Sequence, residues 1–295
     1  MITIPATSTA LPAIERSPGY WATVWRRVRR DRVAMAAALV ILAIILMAIF
    51  APWIAPYDPE RGMALRRLRP IGTPGHILGT DELGRDMLTR LIYGARLSLF
   101  MGVMPVFIAF AIGSVIGVVA GYVGGWLNTL MMRIIDVFFA FPSVLLAIAL
   151  SGALGSGIGN AIVSLTVVFI PPIARVAESV TTSVRTRDYV EAARASGAGP
   201  IRIIRSQVLG NVLGPIFVYA MSLIAVSLIL ASGLSFLGLG VKAPDAEWGF
   251  MLNKLKDAIY VQPLLCALPG VMIFITSISF NLLTDGLRSA MDIKA

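Results

Sequence analysis

The sequence predicts an all-α membrane protein with six transmembrane helices, and three observations carry that prediction. Apolar residues make up 57% of the 295 and charged ones only 14%, whereas a water-soluble domain holds about 45–50% and about 25%. Six apolar runs, at about 33–50, 97–120, 130–154, 158–176, 211–237 and 263–284, are long enough to cross a hydrocarbon core that needs about 20 helical residues. The arginines cluster in the loops at the edges of those runs.

That placement decides how the net charge of +9 is read: as charge at membrane edges, not as a nucleic-acid surface. Cys266 is the only cysteine, so no intrachain disulfide can form, and His76 is the only histidine. A His/Cys metal cluster and a His-based catalytic triad are therefore excluded. No G-x-x-x-x-G-K-[ST] phosphate loop occurs, so ATP binding by that route is not expected.

In chain order, residues 1–32 read as a cytoplasmic tail, polar, proline-dotted and mobile over 1–20. Trp21, Trp25 and Val28 share a helical face ringed by Arg26, Arg27, Arg29 and Arg30, the pattern of a helix lying on the cytoplasmic leaflet. Span 1 is too long for a signal-peptide core, and no small-x-small cleavage site follows it. Trp53 and Tyr57 mark its outer interface. In the loop 58–96, Thr80 or Asp81 is expected to cap a helix at the outer surface, held by an i, i+4 pair of Asp86 with Arg90.

Gly113 and Gly117 in span 2 form a G-x-x-x-G that permits close helix contact. Arg133 and Asp136 are expected to pair, or to face the bundle, at the start of span 3. Pro142 should kink that span, and Pro171 and Pro172 lie near the inner end of span 4; proline breaks of this kind line pathways in transporters. No carboxylate lies deep in a span, as a proton-coupled carrier would need.

The segment 177–210 is the longest polar interruption in the second half. Glu191, Ala192, Ala193, Arg194 and Ala195 are strong helix formers. Gly197 can take the positive φ that ends a helix, and Pro200 suits the first turn of a second one. Ile201, Ile204 and Val208 fall at helical spacing, with Arg202 and Arg205 off that stripe. A short helix pair between two spans is suited to docking a partner.

These residues carry a resemblance. The EAARASG run of 191–197 resembles the cytoplasmic EAA loop of ABC-importer permeases, with Leu209-Gly210 standing where the family usually has Leu-Pro. The block His76 to Leu99, the segment Ser235 to Gly249 and Phe280 to Arg288 resemble permeases for dipeptides, oligopeptides and nickel, so that the likeness covers roughly 33–292. The order of motifs is similar to that of the C-type member of the permease pair. The resemblance implies a type I importer (MetI-like) fold. It further implies that Glu191, Ala192, Ala193, Arg194, Gly197 and Ile201 dock an ATPase through coupling helices, and that this chain holds no cofactor, ATP and Mg being bound by partner subunits. The implied partners are a second, homologous permease, one or two ABC ATPases, an extracytoplasmic substrate-binding protein and membrane lipid. Peptides are the implied cargo, with nickel chelates, glutathione-like compounds and oligosaccharides left open.

Charge counts bear on orientation in a bacterial inner membrane. Segments 1–32 and 174–210 carry net +4 and +3, whereas 51–96 and 238–262 carry +2 and 0. The bias favours both termini and the EAA loop inside. Two other readings remain: a secondary carrier or channel, in which the loop is only a connector, and an intramembrane enzyme, for which the chain lacks paired intramembrane aspartates.

Overall fold

The computed structural model describes residues 20–291, with side chains from Ala22. The expectation of a mobile segment at 1–20 and the face assigned to Trp21 lie outside the described residues. The elements are helices: α1 (Tyr20–Arg30), α2 (Arg32–Ile49), α3 (Ala51–Ile54), α4 (Met87–Val123), α5 (Gly125–Phe139), α6 (Ser143–Leu154), α7 (Ile158–Arg185), α8 (Asp188–Ala195), α9 (Pro200–Ile203), α10 (Leu209–Phe236), α11 (Trp248–Leu255) and α12 (Pro263–Met291). Among the described residues, five stretches, with α9 and α10 read as one, are long and apolar enough to cross a membrane, and α5 with α6 forms a bent apolar pair that makes six if it is one broken span.

Local chemistry explains the ends. Asp31 caps α2 by accepting from Val33 N at 2.9 Å and Ala34 N at 3.1 Å. The cap of α4 is Asp86, which accepts from Thr89 N at 2.8 Å, and not Thr80 or Asp81 as the sequence predicts. The chain at 80–86 is a turn, with Gly84 at φ +75°, so a helix cannot start there. The spans also outrun their apolar runs: α4 begins ten residues before 97, capped by Asp86, and α7 continues nine beyond 176, where Asn128 donates to Glu178 and Arg185 to Tyr122 O.

The core of the bundle is the contact of α4 with α7. The predicted glycine motif makes it possible and is extended by a third member. A Cβ on Gly113 would sit 3.0 Å from Ile170 O and one on Gly121 2.6 Å from Glu178 O, while one on Gly117 would run into Ala174 O and the Ala177 Cβ. The two backbones thus approach as closely as glycine allows.

α1 packs Val24 and Val28 on Ala34, Leu287, Ala290 and Met291. Val24 and Val28 thus face α2 and α12, while Trp25 points outward with Arg29 4.8 Å from its ring. The start of the first span, the end of the last and the beginning of α10, where Gly214 meets Met291, lie at one end of the bundle. The loop 57–86 and the segment 242–262 lie together at the other, where Arg90 donates to Pro59 O and to Pro244 O.

Candidate functional site

The helix pair at 188–208 is joined to two spans. α7 ends at Arg185, and Thr186 and Arg187 lead into α8, with Glu191 N bonded to Arg187 O at 3.1 Å. Val190 on α8 is fully buried, whereas Tyr189, Glu191, Ala192 and Arg194 are exposed and Ala193 is half-buried. Gly197 adopts φ +79°, as a helix end requires, and Pro200 opens α9 at its first position. These expectations hold, and the stripe holds at Ile204 and Val208 but not at Ile201. Ile201 is 72% exposed, and the buried residues are Ile203 at 1% and Val208 at 0%. The reason is a π turn over Ile204–Val208. Its i→i+5 bonding puts residues five apart on one face, so Ile203 aligns with Val208 and Ile201 is left outside. Ile201 then joins Arg202, Arg205 and Ser206 on an open concave surface.

From this surface the chain passes into α10 without a break. The helix runs straight through Leu209-Gly210, and Pro215 falls one turn later inside it.

The predicted proline breaks converge. Pro142 lacks an N–H, and α5 and α6 meet there at 85°, so the continuous span predicted for 130–154 is two half-helices. Phe138, Phe139 and Phe141 at this break face Pro171 and Pro172 of α7 across a cavity of about 280 Å³. Asp136 does not pair with Arg133; Arg175 of α7 holds it in a short ion pair. A second cavity, of about 490 Å³, opens at the end where α10 begins and α12 ends, between Tyr219, Ser222, Asp285 and Arg288.

The opposite end is held by charges the sequence places in a solvated helix. The structure buries them. Arg85 bonds Asp81 at 2.7 Å, and Arg90 reaches Asp81 at 3.2 Å rather than Asp86. Asp86 is occupied by its cap and by His76, whose Nδ1 lies 2.9 Å away. Arg66 approaches His76 Nε2 at 3.5 Å; a guanidinium only donates, so Nε2 accepts and Nδ1 carries the proton toward Asp86. Burial pushes the Glu82 carboxyl above its usual range, and the Asp81 charge adds to the effect.

Glu247 was not singled out by its sequence, though a lone carboxylate before Trp-Gly is a legible helix cap. It is 1% exposed and accepts from Gly249 N and Phe250 N, both at 2.8 Å, and from the Ser98 hydroxyl at 3.2 Å. Trp248 Nε1 donates to Leu91 O at 3.0 Å. Together these bonds fasten α11 onto α4.

Comparison with known proteins places this geometry. Residues 113–294 match the family described as binding-protein-dependent transport system inner membrane component. Residues 19–70 match the N-terminal TM domain of oligopeptide transport permease C. The chain is 43% identical over 293 residues to the glutathione transport system permease protein GsiD of Escherichia coli O157:H7, covering 98% of this chain and 96% of the relative. The protein of the same name from Shigella sonnei gives the same figures. An inward-facing structure of the MetNI methionine ABC transporter superposes with TM-score 0.58 at 22% identity, covering 69% of this chain and 97% of the other, a likeness of fold.

Proposed function

The chain belongs to the binding-protein-dependent inner-membrane components, the multi-pass and non-catalytic permease subunits of ABC importers, and from that premise we propose that it forms half of a translocation pathway for short peptides. Its docking element is the loop 188–208, with Glu191, Ala192, Ala193, Arg194, Gly197 and Ile201 on or beside the face offered to an ATPase. The observation that carries this reading is mechanical. The loop is joined to α7 through two residues and to α10 without interruption, so a force applied there moves two spans as levers. ATP-driven closure of the ATPase pair would then switch access between the two sides.

In this reading both termini and the docking loop face the cytoplasm, in keeping with their shared end of the bundle. A second, homologous permease completes the pathway, one or two ATPases hold ATP and Mg, and an extracytoplasmic binding protein delivers the cargo. A peptide cargo is supported by the C-type N-terminal match and by relatives named for glutathione transport; glutathione is itself a small peptide.

The test is recovery of the tagged chain from its native membrane in mild detergent, with its partners identified by mass spectrometry. ATPase subunits and a second six-span permease are expected, and Glu191→Lys should lose the ATPase while keeping the permease. Recovery of the chain alone, or unchanged uptake by Glu191→Lys, overturns the docking assignment.

A further inference from the structure

One crossing of the bundle is interrupted. Between Phe139 and Ser143 the backbone leaves the helix and turns by 85°. Asp136 lies one turn before this break, and Arg175 lies one turn beyond Pro171-Pro172 on the facing helix; the two side chains form an ion pair while remaining 43% and 44% exposed. Asp136 lies three residues before the end of α5, and Arg175 lies at the end of the apolar run of α7.

A half-exposed ion pair at the edge of an apolar run is favoured against the bundle or water, not against lipid. About one turn along each of the two helices lies a cavity of about 280 Å³ walled by Phe138, Phe139, Phe141 and Phe169. An acid, a base and an aromatic wall therefore stand within a turn of one another, at irregular backbone of the kind tolerated at membrane depth where it lines a cavity. The ends of the two half-helices add opposite partial charges, negative at Phe139 and positive at Ser143.

We propose that Asp136, Arg175 and the break between α5 and α6 form a transit subsite for a short zwitterionic peptide. Arg175 receives the peptide carboxylate, Asp136 its ammonium group, and the phenylalanine wall its apolar body. The inference rests on the peptide-importer reading above. Between transport cycles the two side chains satisfy each other, so no lone charge faces an empty pathway. An arriving zwitterion exchanges one internal pair for two external ones with no change in net charge. Such an exchange binds weakly, which suits passage, since a pathway must release what it admits.

The test uses the complete transporter with its partner subunits and binding protein in liposomes. Two probes are applied: radiolabelled trialanine for ATP-driven uptake, and a free-termini tripeptide with a central benzoylphenylalanine for photo-crosslinking during turnover. Crosslinks are expected at 138–141. Asp136→Asn and Arg175→Gln should each lower trialanine uptake and those crosslinks at least tenfold, while the subunits still copurify, ATP hydrolysis is still stimulated by the binding protein, and crosslinks to the binding protein persist. Single variants that import trialanine at the wild-type rate, or crosslinks that map elsewhere in the chain, overturn the subsite alone. Loss of copurification in the single variants with full recovery in D136R/R175D makes the pair a structural strut and also overturns it. A wild-type transporter that imports neither probe refutes the peptide reading itself, and the subsite with it.

Discussion

Replacing Glu247 tests whether the outer segment is held by one buried carboxylate. Its two oxygens serve three donors, Gly249 N, Phe250 N and the Ser98 hydroxyl, and Ser98 in turn accepts from Trp248 N at 3.0 Å. Glu247→Ala removes a helix cap, at about 1 kcal/mol, and leaves buried donors unpaired, at about 1–3 kcal/mol each. The carboxylate also carries a penalty: burial pushes its pKa above the ordinary 4.5 despite the bonds it accepts. Losing the charge recovers part of the total, so the expected net loss is about 3 kcal/mol, or roughly 6 °C at about 2 °C per kcal/mol for a chain of this size. Glu247→Gln keeps a single acceptor oxygen and turns an NH₂ toward one backbone N–H, for a loss of about 1 kcal/mol.

The pH dependence has a definite sign. A carboxyl whose folded pKa is raised stabilises fully below its unfolded value and loses that contribution as pH rises through the folded one. The wild-type advantage over Glu247→Gln should therefore widen as pH falls from 8 toward 5. The assay is the apparent unfolding midpoint of the detergent-purified complex, followed by tryptophan fluorescence across that range. An alanine variant as stable as wild type, a glutamine variant as damaged as alanine, or a gap that narrows at low pH would refute the reasoning.

Three further outcomes are expected. Arg90→Met breaks a buried pair with Asp81 and frees the carbonyls of Pro59, Pro244 and Asp245; at about 3–5 kcal/mol for such a loss, limited proteolysis should open the segment 238–247. Gly117→Val drives a branched side chain into the α7 backbone and should abolish a monodisperse peak in fluorescence-detected size exclusion, whereas Gly152→Ala, with open space around its Cβ position, should leave the peak unchanged. Gly197→Val meets no neighbour but must hold φ +79°, a strain of about 1–2 kcal/mol; membrane insertion should be normal and ATPase affinity in a pull-down titration lower by about tenfold.

Much of the fold was legible because its signals are local. Hydropathy marks the crossings, Gly197 and Pro200 mark the turn of the docking loop, and Gly113 with Gly117 marks a close helix contact. Pro142 announces a break because a missing N–H acts within one turn. The expectations that failed share the opposite property. Of the two alternatives for Asp136, a pair with Arg133 on its own helix or a place facing the bundle, the first failed: its partner is 39 positions away. Asp86 was matched to Arg90 by helical spacing, although the turn at Gly84 carries Asp81 to that arginine instead. The stripe through Ile201 presumed α-helical spacing, and a π turn altered the register.

By itself the sequence determined the membrane class, the apolar runs, the helix hairpin at 188–208 and the family likeness, since each depends on residue type and spacing along one segment. Only the tertiary structure decided which charges are buried, that Glu247 fastens α11 to Ser98 149 positions earlier, and that Asp136 and Arg175 meet beside the broken span. The physical reason is that a charge in a helical bundle takes its partner from whatever helix packs against it. That packing follows from where small residues such as Gly117 let two backbones meet, not from distance along the chain.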